Sequence, residues 1–281
     1  VKDEKGMKRV EKFLRVDTCP DCGGSRLSEA ARAPRLRGIR LDEACRMTLT
    51  ALCGWVDGVP ASLPPETVAE ALASHPEAKL VIVTSPTYEG VVSNIASIVA
   101  LAHGAGVPVL VDEAHGAHLG FSPAFPGGAV AAGADIVIQS LHKTLPSLTQ
   151  TALAHWNRGL VDGEELARQL SVFETSSPSY LLMGSMDRCV RLLEERGGEL
   201  FAAYEEHLTA FDEAIRDLRH LRVLCHGGDR LEKHPDFYTF DPGKLVLCTR
   251  GTSLTGPLLM ETLRESYHIE LEMALENYAL A

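Results

Sequence analysis

Leu80-Val81-Ile82-Val83, Val107-Pro108-Val109-Leu110-Val111 and Ile136-Val137-Ile138 are three apolar runs of strand length, and each stops at a polar cluster. The first meets Thr84-Ser85-Pro86-Thr87-Tyr88. The second meets Asp112-Glu113-Ala114-His115-Gly116-Ala117-His118, and the third meets Gln139-Ser140-Leu141-His142-Lys143-Thr144. Short, nearly continuous β-branched runs are expected of strands buried on both faces. In a parallel sheet, ligands bind at the carboxyl ends of the strands. One sheet edge is therefore expected to gather an aspartate, several histidines, serines and a lysine.

Around these runs the spacing predicts helices. Pro64-Pro65-Glu66 opens one that runs to Ser74, with proline and then an acidic residue in its first turn. Ser93 to His103 carries Ile95, Ile98, Val99 and Ala102 on one face, and Gly104 and Gly106 suit its end. A short helix is expected from Ala129 to Gly133. Strand, helix, strand, helix, strand is the pattern of an α/β doubly wound, mostly parallel sheet with right-handed crossovers. After Thr151 the spacing widens. Helices are expected over 163–170, 180–196 and 199–218, with Gly197-Gly198 as a break. Strands are expected over 221–224, 244–248 and 269–273, with a helix over 258–267 between the last two. That is a smaller α+β domain. Upstream, residues 1–16 allow a short helix, Ser25 to Arg37 reads as a helix and Gly38-Ile39-Arg40-Leu41 as a strand. The expected organisation is thus 1–63, a divergent or incomplete N-terminal part of the large domain; 64–198, its ligand-binding body; and 199–281, the smaller domain, itself incomplete. The chain opens on Val1, and a fragment is expected.

The 281 residues are 45% hydrophobic and 23% charged, which excludes wholesale disorder. A formal net charge of −11 opposes binding to a phosphate backbone and favours a small cationic substrate. No apolar run approaches the roughly 18 residues of a spanning helix, and no signal pattern opens the chain, so the cytoplasm is expected. The seven cysteines are scattered and odd in number, which reads as reduced thiols. Cys19-Pro-Asp-Cys22 has the spacing of half a zinc site, but no second pair completes it, and no metal is expected.

Lys143 ends a buried strand, where a desolvated amine loses its proton more readily, as a Schiff-base lysine must. Taken alone it reads as a surface lysine just past a strand, and Asp112 alone as a helix cap or a satisfied polar group. Together, on neighbouring strand ends, they suit a pyridine ring carried on the lysine, with the carboxylate holding the ring-nitrogen proton that makes the ring an electron sink. Ser140 and His142 could hold its phosphate. A strand followed by Asp-Glu-Ala-His is also a helicase nucleotide motif. That reading needs a phosphate loop ending Gly-Lys-Ser/Thr, and Gly243-Lys244 is followed by leucine.

Ser85 to Ser93, Val111 to His118, Gln139 to Pro146, Thr149-Gln150-Thr151, Thr175 to Met183 and Arg250 to Gly256 resemble segments of the bacterial ornithine/lysine/arginine decarboxylases, pyridoxal-phosphate enzymes of the aspartate-aminotransferase fold. The resemblance runs from about residue 64 to 273. It implies pyridoxal 5'-phosphate as cofactor, a basic amino acid as substrate and a homodimer or higher homo-oligomer. It implies Lys143 as the cofactor-bearing lysine, Asp112 as partner of the pyridine nitrogen and His115 near the ring's 3-hydroxyl. Ser140 and His142 become phosphate contacts, and Ser176 and Ser177 part of a segment that reaches a cofactor across the subunit interface; as bare sequence, those serines read equally as a turn before a helix. Residues 1–22 contain no match to the family's Gly-Ser-Thr phosphate loop. Gly23 stands where its Asn-Cys-His segment has the ring-stacking histidine. These departures keep open a non-catalytic binding or assembly subunit, with an aminotransferase as a third reading.

Overall fold

The computed structural model describes residues 62–281 together with Arg35–Leu36, Ile39–Arg40 and Glu43. The chain forms two compact units, Val1–Val59 and Pro60–Ala281. In the first, β1 (Arg35–Leu36) pairs antiparallel with β2 (Ile39–Arg40). Arg35 and Leu36 are therefore strand residues and not the end of the helix expected from Ser25 to Arg37; cross-strand pairing overrides the weak local propensity. The helix expected within 1–16, the segment 21–25 and the Cys19–Cys22 pair lie outside the described residues.

The second unit runs α1 (Pro65–Ser74), β3 (Val81–Thr84), β4 (Val91–Val92), α2 (Ile95–Gly104), β5 (Val109–Asp112), β6 (Ile136–Ser140), α3 (Leu141–Thr144) and β7 (Ala152–Trp156). One sheet has the order β3-β5-β6-β7. β3, β5 and β6 are parallel, and β7 returns antiparallel along β6. The sheet is thus mixed, mostly parallel. β7 escapes a sequence reading because Ala-Leu-Ala-His-Trp has little of the β-branched content that marks a strand. Registers Thr84↔Asp112 and Asp112↔Ile138 set the ends of β3 and β5 level, and β6 runs two residues further to Ser140. α1 and α2 cover one face. Val83, Val109, Val111 and Val137 meet Val68, Ile98 and Val99 there in one cluster. Ile98 is fully buried, which alone contributes about 1.5–3 kcal/mol. Asn94 caps α2 by accepting the Ser97 N–H at 3.1 Å.

Burial on both faces does not extend to β3. Its residues alternate, and Ile82 is 67% exposed. β3 is an edge strand of the described sheet and packs on one face only. The helix expected from Ala129 to Gly133 is a turn. The Ala129 N–H is drawn out to the Glu113 carboxylate at 2.7 Å, and Gly133 takes a φ of +88°.

Two helices follow, α4 (Gly163–Phe173) and α5 (Tyr180–Ile215). α5 runs through Gly197-Gly198 without the interruption those residues predict. Each glycine costs about 1 kcal/mol in a helix. Packing of Leu193, Phe201 and Leu208 of α5 with Leu119 and Phe125 outweighs that. The remaining elements are β8 (Arg222–Val223), β9 (Thr239–Phe240), β10 (Val246–Cys248), α6 (Gly256–Tyr267), β11 (Met273–Leu275) and β12 (Tyr278–Leu280). The second sheet, β11-β12-β10-β8, is antiparallel throughout. The strand expected at 269–273 lies further on, in a hairpin whose Leu275↔Tyr278 pair leaves a two-residue loop. β4 and β9 pair antiparallel, Val91 with Phe240 and Val92 with Thr239. That small ladder ties the segment after β3 to the segment before β10. No helix among the described residues is long and apolar enough to cross a membrane. Cys189, Cys225 and Cys248 are free thiols.

Candidate active site

The parallel strand ends build the site. Asp112, the last residue of β5, accepts the Ala114 N–H at Oδ1, 3.0 Å away, which closes the turn after the strand. The next side chain points into the protein. Glu113 is 2% exposed and accepts the Ala129 N–H and the Gln139 side-chain amide, both at 2.7 Å. Gln139 in turn accepts from His155 Nε2 on β7 at 2.9 Å. Burial pushes the Glu113 carboxyl above the usual range while these two hydrogen bonds pull it back. Gly116 closes the turn because a Cβ there would lie 2.7 Å from both Glu113 Cγ and Pro86 Cδ. Glu113, Gln139 and His155 are thus the anchor, and the anchored turn presents His115.

His115 sits among cations. Lys143 Nζ is 3.2 Å from its Nε2 and Lys244 Nζ is 3.5 Å from its Nδ1. The Tyr88 ring lies 4.3 Å from the imidazole, tilted by 59°. Burial, then Lys244 and Lys143, lower the His115 pKa to about 4, against the fields of Glu272 and Asp112. A neutral imidazole in the folded state and an ordinary one in the unfolded chain make the unfolded state the stronger proton binder between those values. Stability contributed at His115 is therefore present above about pH 6.5 and is lost as the pH falls toward 4. His115→Asn should flatten the acid limb of a stability–pH curve measured by urea unfolding; an unchanged slope between pH 6.5 and 4 would contradict the assignment.

Lys143 lies on α3, a single helical turn anchored by Leu141, which is 3% exposed. Lys143 itself is exposed, so it is not sunk at the strand end as a strand-buried lysine would be; it stands on the wall of an open cavity of about 790 Å³. His115, His142, Tyr88, Lys244 and Glu272 share that wall. The volume is in the usual range for small-molecule sites. His142 donates from Nδ1 to the Thr151 carbonyl at 2.9 Å, which fixes its tautomer when neutral. Ser140 precedes α3 as its cap residue without a side-chain capping bond.

The structure brings Lys143, His115 and His142 together. Asp112 and Ser140 are on the same sheet edge but do not line the cavity, and Asp112 acts on it through its field on His115. Ser176 and Ser177 lie apart, on the exposed segment between α4 and α5, where the Ser177 N–H donates to Thr175 Oγ1 at 3.1 Å.

Three features of the wall carry no signal in the sequence pattern. Tyr88 donates to Glu272 at 2.6 Å. His118 Nε2 donates to Asp241 Oδ1 at 3.1 Å, with both side chains at least 95% buried. Lys244 arrives from beyond β9. Asp241-Pro242-Gly243-Lys244 reads only as a turn before a strand, and no local signal marks it.

A phosphorylated pyridine aldehyde suits this donor set. The cavity wall offers a primary amine, a carboxylate stands one strand away, and Lys244 offers donors to an anion. His118 Nδ1 and Asp241 Oδ2, buried along the same wall, have no hydrogen-bond partner among the described residues.

Comparison with known proteins gives a consistent picture. Residues 48–245 match the family model for the Orn/Lys/Arg decarboxylase major domain. The chain is 38% identical over 217 residues to the arginine decarboxylase of Bacillus subtilis, covering 77% of this chain and 44% of that one. It is 37% identical, over the same shares, to the arginine decarboxylase of Halalkalibacterium halodurans. The chain thus spans less than half the length of these relatives. Among solved structures, the constitutive lysine decarboxylase of E. coli matches with a TM-score of 0.58 at 20% identity, over 77% of this chain and 36% of that one. The pyridoxamine-pyruvate aminotransferase of Mesorhizobium loti matches with a TM-score of 0.56 at 17% identity, over 78% and 58%.

Proposed function

We propose, for a chain that belongs to the Orn/Lys/Arg decarboxylase family, that it supplies the cofactor-binding body of a pyridoxal-phosphate-dependent decarboxylase acting on a basic amino acid, arginine first. The reading is carried by one observation: the Lys143 amine lies 3.2 Å from His115 in a cavity at the ends of parallel strands. Pyridoxal phosphate, when bound, supplies a carbonyl that takes up amines and a ring that accepts the electron pair left by departing carbon dioxide. Lys143 is the amine that holds it and the group that returns a proton to the substrate's α carbon. Asp112, one strand away from the cavity wall, would favour a proton on the ring nitrogen through its charge. His115 would orient the 3-hydroxyl, and His142, on the cavity wall, would face the phosphate, with Ser140 behind it on the same sheet edge. Glu272, on the cavity wall, suits the cationic end of the substrate, and the net charge of −11 draws it in.

The division into a body over 64–198 and a smaller α+β part over 199–281 belongs to the same proposal, with α5 running continuously between them. So does a homodimer or higher homo-oligomer. Phe173 and Tyr180, 85% and 84% exposed, flank Ser176 and Ser177 and suit an interface that carries those serines to a second subunit.

Absorbance of the purified protein with added pyridoxal phosphate, followed by arginine, lysine and ornithine in turn, tests the assignment. The expected result is a visible band of protein-bound cofactor and release of carbon dioxide with the corresponding amine, fastest from arginine. A keto acid product would make the chain an aminotransferase. A folded protein that gives neither band nor product would make it a binding or assembly subunit.

A further inference from the structure

Tyr204 reaches the cavity wall from α5, alongside Thr144, Leu145 and Gly243. No motif marks it. Its ring stacks on Phe125, with centroids 5.4 Å apart and an interplanar angle of 30°. Phe125 is 5% exposed and meets Phe201 and His118 edge-on, at 5.7 and 5.2 Å. Aromatic pairs of this kind hold a ring in place. Tyr204 itself stays 37% exposed.

The hydroxyl lies over Gly243. A Cβ there would stand 2.6 Å from Tyr204 Oη and 3.2 Å from Asp241 Oδ1. Gly243 is not among the glycines of positive φ, so glycine is needed for that close approach and not for the backbone angles. Tyr88 and Tyr278 each donate to a glutamate, at 2.6 and 2.7 Å. The Tyr204 hydroxyl has no such partner among the described residues.

The field at that hydroxyl is negative. Asp241 is fully buried. Its Oδ1 accepts from His118 Nε2 and from the Gly243 N–H at 2.9 Å, and its Oδ2 is unpartnered among the described residues. Burial, then the Asp241 charge, push the Tyr204 phenol above its usual range. The Gly243 N–H is taken and cannot serve an anion, and the Asp241 charge repels one. A cation that carries N–H groups suits the place, because a phenol oxygen keeps a lone pair with which to accept. The amines of the wall, Lys143 and Lys244, stand at the two ring nitrogens of His115 instead. The cavity is thus polarised, with amines around His115 and acceptors around Tyr204. A basic amino acid has the matching arrangement, a carboxylate at one end and a cation at the other.

We propose that Tyr204 is a specificity-determining contact for the cationic end of the substrate: its hydroxyl oxygen, held over Gly243, accepts a hydrogen bond from the guanidinium of arginine, with the Asp241 carboxylate behind it favouring the positive charge. Glu272 attracts any cation to the cavity. The phenol adds a fixed neutral acceptor, which a guanidinium can use with one N–H while others serve a carboxylate. The identity of the substrate rests on the proposed function.

Binding to the intact chain without cofactor is the first test. Isothermal calorimetry with agmatine, the amine that arginine leaves on losing carbon dioxide, should show Tyr204→Phe binding about tenfold more weakly than the parent, the loss expected for one hydrogen bond to a charged group. Tyr204→Phe keeps the stack on Phe125. Gly243→Ala puts a methyl where the hydroxyl lies; it should weaken agmatine to a similar degree in the parent and no further in Tyr204→Phe. Inorganic phosphate should bind the parent and Tyr204→Phe alike. Equal agmatine affinity in those two proteins, or a parent that binds no agmatine, would overturn the proposal. So would weaker phosphate binding in Tyr204→Phe, which would make the hydroxyl a donor to an anion. With pyridoxal phosphate added, Tyr204→Phe should lose activity through a KM for arginine about tenfold higher and not through kcat. A parent that gives no cofactor band or product, but whose agmatine binding still depends on the hydroxyl, would refute the proposed function and leave the contact standing. An active parent and a Tyr204→Phe protein with the same KM would do the reverse.

Discussion

Lys143→Ala, mixed with pyridoxal phosphate, is expected to show only the spectrum of free cofactor and to release carbon dioxide from arginine at least about a thousandfold more slowly than the parent protein. The magnitude follows from what the amine does. It converts an encounter between substrate and cofactor into a reaction at a fixed position, and removing such a group costs far more than removing a contact. The expectation is sharp because the cavity has a second lysine. Lys244 stands 3.5 Å from the other nitrogen of His115. If Lys143→Ala keeps the bound-cofactor band, Lys244 is the reactive amine and the assignment at 143 is wrong. Lys143→Arg separates charge from chemistry: it preserves a cation next to His115 but offers no amine to a carbonyl, and should be as inactive as alanine. Folding is not at risk, since the Lys143 side chain is exposed and Leu141 provides the packing of α3.

The second large effect concerns stability. Asp135→Ala should lower the unfolding free energy by about 3–5 kcal/mol, read as a lower urea midpoint with an unchanged slope. Asp135 is 1% exposed and brackets Val109 at the start of β5. Its backbone N–H donates to the Val109 carbonyl at 2.9 Å, and its carboxylate Oδ2 accepts the Val109 N–H at 2.8 Å. Oδ2 also accepts from His103 Nε2 at 2.8 Å, and Oδ1 accepts the Leu160 N–H at 3.1 Å. Alanine leaves two backbone N–H groups and a histidine without partners at once. Asp135→Asn keeps one acceptor oxygen and should cost about 1–2 kcal/mol. Burial alone would raise the Asp135 carboxyl, but the Val109, His103 and Leu160 bonds outweigh it and hold the group below the usual carboxylate range. A folded-state carboxyl held low stabilises above the unfolded-state value, near pH 4, and loses that contribution as the pH falls through the folded value. The difference between parent and Asp135→Ala should therefore shrink in acid. A loss under 1 kcal/mol at pH 7 would mean that water replaces the carboxylate and that the bracket around Val109 is not what holds β5.

The β3, β5 and β6 strand ends are legible in the amino-acid sequence because a short apolar, β-branched run advertises a strand by composition and stops abruptly. Asp112, His115, Ser140, His142 and Lys143 stand out as candidates for that reason. β7 and the Ala129–Gly133 turn do not show themselves this way. In the first, a strand is held by pairing along β6 with side chains of low β-propensity. In the second, Gly133 takes a φ of +88°, which ends the turn before a helix can propagate. Gly197-Gly198 misleads because helix propensity is a local quantity worth about 1 kcal/mol per glycine, smaller than the burial of Phe201 that keeps α5 continuous.

Chain order alone settles which residues stand at the carboxyl edge of the parallel sheet, since strand length, β-branched content and the polar residues that end each run are all local. Which of them share a cavity is decided elsewhere. The β4–β9 ladder brings Lys244 from the far part of the chain to His115, and the Tyr88–Glu272 hydrogen bond adds a wall residue 184 positions away. Contacts at such separations depend on how the elements close on one another, and no periodicity or motif records them.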